Sequence, residues 1–256
     1  MDSRLHDVWA ADKGAINGWL SIPSTVTAEI AALQDYDSLT IDLQHGLVDY
    51  QTALQLMQTV HGYGKTALAR VPWNEPGIIM KLLDGGALGI ICPMINTAEE
   101  AERFVGACQY APRGYRSSGP TRAGLIYPDY FNQANDTIVT LAMIETVEAV
   151  QNLDGILKTP NLTGVYVGPG DLAVSMGKPP SLDHTDPEMV AAIDGVLTKV
   201  KAAGLKCGMH CMNPPYMVDA IKKGFDFVTL SSDVRLMTAA QVDGVGAFRK
   251  AGGGNR

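Results

Sequence analysis

Several ionisable residues directly follow short apolar stretches that are typical of buried β-strands. They are Asp42, His45, Arg70, Glu145 and Asp171. Because the carboxyl ends of the strands in a parallel barrel meet at one face, we expect these five side chains to surround one site. Three carboxylates, one arginine and one histidine indicate proton-transfer chemistry on an anionic substrate, with carboxylate oxygens available for a metal ion.

Glu145 and Asp171 are the candidate metal ligands. Glu145 follows a wholly apolar run, where an unpaired carboxylate would be unfavourable, although it could also be the first-turn acid of the next helix. Asp171 follows a Gly-Pro-Gly turn that exposes backbone N–H groups, and it could instead cap that turn. Two carboxylates without a neighbouring histidine or cysteine favour a hard divalent cation whose remaining positions are filled by water.

Arg70 and His45 are the candidate catalytic residues, with Asp42 as their neighbour. An arginine at the end of an apolar stretch provides a fixed positive charge beside a developing enolate oxygen, or else a structural ion pair at the barrel mouth. His45 lies three residues after Asp42, so we expect the carboxylate to orient its imidazole ring. The alternative for His45 is a hydrogen-bonded core histidine, which is our interpretation of His210.

Two other chemistries are disfavoured. A Schiff-base aldolase needs a lysine at the catalytic face, but Lys65 and Lys206 begin their strands and should lie at the opposite face. The sequence also lacks a GxxxxGK[ST] phosphate loop and a serine nucleophile elbow. Metal-assisted chemistry therefore remains the favoured hypothesis.

The scaffold that would position these residues is an alternation of short apolar strands and amphipathic helices. We predict strands at 16–22, 38–43, 66–71, 88–93, 138–144, 164–167, 206–210 and 225–230. We predict helices at 28–34, 50–61, 75–84, 98–109, 146–152, 187–203, 214–223 and 234–250. Eight such units predict an α/β fold, a (β/α)8 TIM barrel in which residues 1–256 form one domain. An open doubly wound sheet is the alternative, disfavoured because no GxGxxG turn is present.

Two segments, 110–136 and 169–186, are too long for ordinary connections. Loops of this length in a compact domain are usually functional, so we expect both to shape the substrate pocket, together with a partner chain. The end of the chain, 251–256, contains three glycines and is expected to be frayed.

Composition excludes several classes of protein. The net charge of −7 includes no basic stripe, which argues against a nucleic-acid partner. No signal-peptide core and no apolar run of membrane-spanning length is present, so we expect no membrane association. The four cysteines lack the paired spacing of a disulfide framework, which favours a reducing cytoplasm.

Six short motifs resemble the HpcH/HpaI family of class II pyruvate aldolases, and together they span roughly residues 14–235. They are Ile-Asp-Leu-Gln-His-Gly at 41–46, Ala-Arg-Val-Pro at 69–72, Leu-Asp-Gly-Gly-Ala at 83–87, Pro-Arg-Gly-Tyr-Arg at 112–116, Ile-Glu-Thr at 144–146 and Gly-Pro-Gly-Asp-Leu at 168–172. Each motif is weak alone, whereas their shared order is specific.

The resemblance implies that Glu145 and Asp171 ligate Mg²⁺, Mn²⁺ or Co²⁺. It implies that Arg70 stabilises the enolate and that His45, oriented by Asp42, relays the proton of the aldol hydroxyl. The residues that it implies for substrate binding are Gln44, Gly168, Gly170, Asp171 and Asp84. Of these, Asp84 would approach a neighbouring subunit's site. The implied assembly is a homohexamer, a trimer of dimers in which the C-terminal helix is swapped between subunits.

The chain departs from the family pattern at two positions. Gln44 stands where glutamate is frequent, and an amide cannot add negative charge or take a proton from a metal-bound water. Met143 stands where glutamine is frequent, two residues before the candidate ligand Glu145. Both changes bear on the donor range, which could extend to hydroxypyruvate.

The resulting hypothesis is reversible aldol cleavage of 4-hydroxy-2-oxo acids to pyruvate, or hydroxypyruvate, and an aldehyde through a metal-bound enolate. An oxaloacetate-type decarboxylase or a citryl-CoA-lyase-like enzyme on the same fold is the first alternative. A ligand-binding barrel without catalysis is the second. The sequence does not identify the aldehyde.

Overall fold

The computed structural model of the chain describes residues 3–252, whose eight strands form a closed barrel. Each strand pairs in parallel with the next, and the last pairs with the first. The strands are β1 (Ala15–Leu20), β2 (Ser38–Asp42), β3 (Thr66–Arg70), β4 (Gly89–Cys92), β5 (Val139–Ile144), β6 (Gly164–Val167), β7 (Lys206–Cys211) and β8 (Phe227–Leu230). The predicted (β/α)8 barrel is confirmed with all eight strands, and the open sheet is excluded.

Every predicted helix is present within the described residues. The helices are α1 (Arg4–Ala10), α2 (Thr25–Ala32), α3 (Tyr50–Gly62), α4 (Pro76–Asp84), α5 (Ala98–Cys108), α6 (Ala123–Ile126), α7 (Tyr130–Thr137), α8 (Val147–Gln151), α9 (Leu153–Ile156), α10 (Pro169–Ser175), α11 (Pro187–Ala202), α12 (Pro214–Lys223) and α13 (Asp233–Lys250). Sequence analysis missed α1 and α9. It also predicted loops where α6, α7 and α10 form, because these helices are too short for a clear periodic pattern.

Local capping chemistry explains where the longer helices begin and end. Thr97 forms a capping box with Glu100 at the start of α5, and the Asp186 carboxylate accepts two backbone N–H groups at the start of α11. At the end of α12, Gly224 has a φ of 113°, a conformation that glycine adopts without strain.

The interior of the barrel is packed, and its amino end is closed. Trp19, Leu141, Tyr166 and Phe227 are buried inside the ring of strands. Helix α1 covers the amino end through Leu5 and Trp9, whose indole N–H donates to the Asp226 carbonyl at 2.8 Å. A second apolar layer lies between the strands and the surrounding helices. The barrel can therefore receive a ligand only at its carboxyl end.

The two long segments lie at opposite ends of the barrel. Segment 110–136 connects α5 to β5 and packs at the amino end, where Arg122 donates to the Gly85 carbonyl at 2.6 Å and Tyr130 to the Leu83 carbonyl at 3.3 Å. The expectation that this segment shapes the pocket of its own chain is therefore wrong, because a connection from helix to strand returns to the amino end. Segment 169–186 connects β6 to α11 at the carboxyl end, as expected.

The remaining sequence predictions concern the cysteines and the chain end. The four cysteines are buried and free. Ala251 and Gly252 form a turn, whereas 253–256 of the segment predicted to be frayed lie outside the described residues. Between residues 3 and 252, no helix combines the length and apolar character needed to cross a membrane.

Candidate active site

A cavity of about 380 Å³ opens at the carboxyl end of the barrel. It is lined by Trp19, Ser21, Asp42, His45, Arg70, Met143, Glu145, Gly168, Pro169, Gly170, Asp171, Pro180, Leu182, His210, Ser232, Val234 and Arg235. The five ionisable residues predicted to surround one site all belong to this lining. Its side chains come from seven of the eight strands or from the segments that follow them.

A buried ion pair joins Asp42 to Arg70 at the wall of the cavity. The two residues lie opposite each other in the parallel pairing of β2 and β3, so their side chains point to the same face. Nε of Arg70 donates to Oδ1 of Asp42 at 2.8 Å, and Nη2 donates to Oδ2 at 2.7 Å. Only 2% of the Asp42 side chain and 10% of the Arg70 side chain are exposed. This two-point contact fixes the plane of the guanidinium and leaves Nη1 without a hydrogen bond among the described residues.

Asp42 also organises the groups around it. Its carboxylate accepts hydrogen bonds from the Trp19 indole at 3.1 Å and from the backbone N–H groups of Gln44 at 3.0 Å and His45 at 3.3 Å. Burial alone would raise the pKa of Asp42, but the hydrogen bonds and charge of Arg70, together with the Trp19 and Gln44 donors, outweigh burial and lower it. Asp42 is therefore a carboxylate at neutral pH and holds the turn after β2.

His45 lines the cavity and is exposed to solvent. The expectation that Asp42 orients its imidazole ring is wrong, because within residues 3–252 the carboxylate contacts His45 through the backbone N–H alone. The physical reason is that both carboxylate oxygens already bind Arg70, and the chain turns back so that the amides after Asp42 point at it. The position of the His45 backbone is fixed, whereas its ring keeps both nitrogens available.

Glu145 is a buried carboxyl group that forms no ion pair with any residue between 3 and 252. Its Oε1 accepts the backbone N–H of Met94 at 2.7 Å. Met94 has a φ of 54°, a left-handed conformation that costs a non-glycine residue on the order of 1–3 kcal/mol. Burial, and then the charge of Asp171, raise the pKa of Glu145 to about 7, although the Met94 N–H and Arg70 oppose the shift. A bound cation would offset both the burial of the ionised carboxylate and its repulsion by Asp171.

The Gly-Pro-Gly turn after β6 packs closely against Glu145 and leads into Asp171. A Cβ atom on Gly168 would lie 2.6 Å from Oε2 of Glu145 and 3.1 Å from the methyl group of Met143, so a side chain there would displace Glu145. A Cβ atom on Gly170 would meet nothing closer than 3.9 Å. Asp171 follows in the first turn of α10 and faces the cavity. Gly168 is thus required for the close approach to Glu145, whereas Gly170 leaves open space.

The donor set in this cavity fits a hard divalent cation. Of the charged side chains that line the cavity, Glu145, Asp171 and Arg235 form no ion pair with another described residue. In the described part of the chain, no cluster of three or more His, Cys, Asp or Glu side chains could ligate a metal. Two carboxylates that line one cavity match Mg²⁺ or Mn²⁺, which keep several water or substrate ligands, and do not match a structural zinc site.

Two predicted substrate-binding residues do not line the cavity. The side-chain oxygen of Gln44 is buried without a hydrogen-bond partner among the described residues. Asp84 ends α4 and binds Nη2 of the buried Arg116 at 2.6 Å, at the amino end of the barrel. Its expected contact with a neighbouring subunit stays a prediction. No lysine lines the cavity, in agreement with the argument against a Schiff base.

Trp19, His210 and Arg235 line the cavity but were not among the predicted site residues. Trp19 stacks on Arg70, with the guanidinium carbon 4.8 Å from the ring centroid. His210 was interpreted as structural, although its place at the end of a predicted strand indicated the cavity. Arg235 follows the Ser-Ser-Asp sequence after β8, where Ser232 caps α13. That capping pattern could have predicted a charged residue at the mouth.

The chain belongs to the HpcH/HpaI aldolase/citrate lyase family, whose pattern matches residues 17–240. It is 41% identical over 239 residues to a hydroxypyruvate/pyruvate aldolase from Rhizorhabdus wittichii, covering 93% of this chain and 95% of the relative. It is 35% identical to a 4-hydroxy-2-oxo-heptane-1,7-dioate aldolase from Salmonella paratyphi C, with 93% and 91% covered. The crystal structure of a family member from Burkholderia cenocepacia has a TM-score of 0.86 and 27% identity, with 93% and 95% covered.

The raised pKa of Glu145 predicts a distinctive pH dependence of stability without metal. Because the folded state binds this proton more tightly than the unfolded state, the group stabilises the fold fully below its ordinary pKa of 4.5. This stabilisation is lost as the pH rises through about 7. We expect the free energy of unfolding of Glu145→Gln, in the presence of a chelator, to lack a decline on the order of 3 kcal/mol that the wild type undergoes between pH 4 and 8. Urea denaturation at each pH measures the difference, and parallel curves would contradict it.

Gly168→Ala should weaken the binding of a divalent cation, because its methyl group would push Glu145 away from Asp171. We expect calorimetric affinity for Mn²⁺ to fall at least about tenfold, as for other changes that disturb the orientation of metal ligands. Gly170→Ala is the matched control, since its Cβ has space, and its affinity should stay within about threefold of the wild type. Equal losses in both variants would show that this close approach is unimportant.

Proposed function

We propose that this family member is a carbon–carbon lyase that reversibly cleaves 4-hydroxy-2-oxo acids into pyruvate, or hydroxypyruvate, and an aldehyde. The observation that carries the proposal is the single cavity in which the Asp42–Arg70 pair faces the carboxyl groups of Glu145 and Asp171. The names of the Rhizorhabdus and Salmonella relatives support the same reaction class. Aldol cleavage requires a stabilised enolate and a group that takes a hydroxyl proton, and the cavity offers residues for both.

Glu145 and Asp171 would hold a divalent cation, with Mg²⁺, Mn²⁺ and Co²⁺ as the candidates. Such an ion supplies Lewis-acid polarisation of the substrate's 2-oxo group, which makes the protons at C3 removable. The backbone N–H groups at the start of α10, from Gly170 and Asp171, are available for the substrate carboxylate. These two contacts would orient the oxo acid along the wall formed by β5 and β6.

Arg70 would stabilise the negative charge that develops on the oxo oxygen. Its bond to Asp42 fixes the guanidinium before substrate binds, so no reorganisation is needed when the charge forms. Nη1 keeps its donors for the substrate. Trp19 packs against the guanidinium and restricts the access of water on that side.

His45 would take the proton from the 4-hydroxyl group during cleavage and return it during condensation. Its backbone is held by Asp42, and its ring stands at the mouth, where the aldehyde enters and leaves. The exposed ring can exchange this proton with solvent. Because its backbone is fixed and its ring is free to turn, His45 could reach the hydroxyl group formed from aldehydes of different size.

The proposed assembly is a homohexamer in which the last helix of one subunit covers the barrel of another. Helix α13 has no buried residue, and Val242, Val245 and Phe248 are exposed along it. The outer face of the barrel carries an apolar groove of about 210 Å³ that such a helix could fill. It is lined by Gly14, Ala15, Ile16, Pro214, Met217, Val218, Ile221, Val228 and Leu230. In this assembly Asp84 would lie near a neighbour's cavity, and the four free cysteines support a reducing compartment such as the cytoplasm.

The enolate step is tested with the donor alone. The protons of pyruvate's methyl group should exchange with deuterated water when enzyme and Mn²⁺ are present, because enolate formation does not need the aldehyde. We expect NMR to detect exchange that stops when a chelator is added or when Glu145 is replaced by Gln. Exchange that continues undiminished after chelation would contradict the proposal that enolate formation needs a metal ion.

Arg70→Lys tests the role of the fixed guanidinium. Lysine keeps the positive charge but cannot form the two-point contact with Asp42 or present Nη1 to the oxo oxygen. We expect kcat for aldol cleavage to fall by about 10²–10³, the range for losing one oriented donor to a developing oxyanion. The affinity for Mn²⁺, measured by calorimetry, should change little. Near-normal kcat would remove Arg70 from its proposed role.

A further inference from the structure

The turn that carries Asp171 is held from outside the cavity by His184. Nε2 of His184 lies 3.2 Å from the backbone carbonyl oxygen of Pro169. Because a carbonyl oxygen can only accept, Nε2 carries the proton of this bond. Within the described part of the chain, it is the only hydrogen bond that a side chain makes to residues 168–171. His184 is buried and does not line the cavity, so the roles assigned to the cavity residues leave it unexplained.

The turn has few internal contacts that could fix it. Gly168, which precedes α10, has no side chain to cap the helix, and Pro169 has no backbone N–H. The backbone N–H of Gly168 donates to the Ile144 carbonyl at 3.2 Å, which ties the first residue of the turn to β5. The position of Asp171 relative to Glu145 therefore depends on how the backbone at Pro169 is held.

Asp183 fixes the position of His184, the residue that follows it. The Asp183 carboxylate accepts the backbone N–H groups of Met212 at 2.7 Å and Asn213 at 3.0 Å, and the side-chain amide of Asn213 at 3.0 Å. These three bonds engage both carboxylate oxygens and tie the end of segment 169–186 to the turn between β7 and α12. The imidazole of His184 is thus held from a neighbouring strand end while it binds the start of α10.

We propose that His184 is a positioning residue for metal binding, because its bond to Pro169 keeps the Asp171 carboxylate where it can share a divalent cation with Glu145 before a substrate arrives. This inference rests on the proposed function, in which these two acids hold the ion. A ligand that is already in place loses less conformational freedom when the ion binds, which favours binding. The role of His184 is therefore in the affinity for the metal, and the chemical step itself does not involve it.

The test measures the binding of Mn²⁺ to the whole protein without substrate, from the electron paramagnetic resonance signal of the free ion. We expect His184→Leu to weaken the affinity about tenfold, as for the loss of other contacts that orient a metal ligand. His184→Gln keeps an N–H donor near the position of Nε2 and should recover most of the affinity. An unchanged affinity in His184→Leu would overturn the proposal, and so would an equal loss in both variants.

Lys178→Met is the matched control in the same segment. The Lys178 ammonium binds Asp186 at 3.0 Å and Glu188 at 2.9 Å, and it makes no hydrogen bond to residues 168–171. Ion pairs at the surface contribute little, so the affinity for Mn²⁺ should stay within about twofold of the wild type. A loss as large as that of His184→Leu would show that any loosening of the segment weakens the site, and the specific role of His184 would be wrong.

A second measurement separates metal positioning from a loss of folded protein. The exchange of pyruvate's methyl protons with deuterated water is followed by NMR as the Mn²⁺ concentration is raised. We expect His184→Leu to need about tenfold more Mn²⁺ for half-maximal exchange, with a rate at saturating metal within about threefold of the wild type. A lower rate at saturation with an unchanged half-maximal concentration would contradict the positioning role. Circular dichroism of each variant verifies that it is folded.

The proposed function and the role of His184 fail in different ways. If the wild type binds no Mn²⁺ and forms no product from any oxo acid and aldehyde, the proposed function itself is wrong. If the wild type binds Mn²⁺ and is active, but His184→Leu binds the ion equally well, only the role of His184 is wrong.

Discussion

Asp42 and Arg70 are buried side by side at the ends of neighbouring strands, and the wall of the cavity is organised around their ion pair. A buried carboxylate is unfavourable without partners, so Asp42 draws in the guanidinium, the Trp19 indole and the two backbone N–H groups after β2. Each contact that satisfies Asp42 also fixes a group used elsewhere. The plane of the guanidinium is fixed, Trp19 packs between Arg70 and His210, and the backbone of His45 is fixed at the mouth.

Glu145, on the opposite wall of the cavity, has the opposite electrostatic environment from Asp42. Glu145 is as buried as Asp42, but it has one backbone donor and another carboxylate nearby instead of an arginine, so its pKa rises to about 7 while that of Asp42 falls. On the wall at β2 and β3, the charges of Asp42 and Arg70 thus neutralise each other. On the wall at β5 and β6, Glu145 and Asp171 form no ion pair with another described residue. A cation bound by Glu145 and Asp171 would complete the second wall, and an oxo acid bound between the two walls would have its oxygen directed at the first. The difference in environment shifts the pKa values of two carboxyl groups of similar burial in opposite directions.

The closed barrel also separates two kinds of long connection. Segments that follow strands reach the carboxyl end, where residues after β6 and β8 complete the cavity, and segments that follow helices return to the amino end. For this reason the Asp84–Arg116 pair and segment 110–136 are remote from the cavity of their own chain. Helix α13 begins at the mouth, where the Asp233 carboxylate accepts the backbone N–H groups of Ser21 and Ile22, and then continues with its apolar side chains exposed.

The barrel, its eight strands and the five ionisable residues that meet at the cavity could all be predicted from the order of residues along the chain. This was possible because the apolar pattern of a strand is local in sequence, and because the strands of a parallel barrel all end at one face. The hydrogen-bond and ion-pair partner of each side chain, in contrast, became apparent from the folded barrel. Asp42 binds Arg70 and not the His45 ring, because the register of β2 against β3 sets that pair, and His210 faces the cavity with Nδ1 3.1 Å from the hydroxyl oxygen of Tyr166. Such pairings depend on contacts between residues far apart in sequence, which spacing along the chain does not encode.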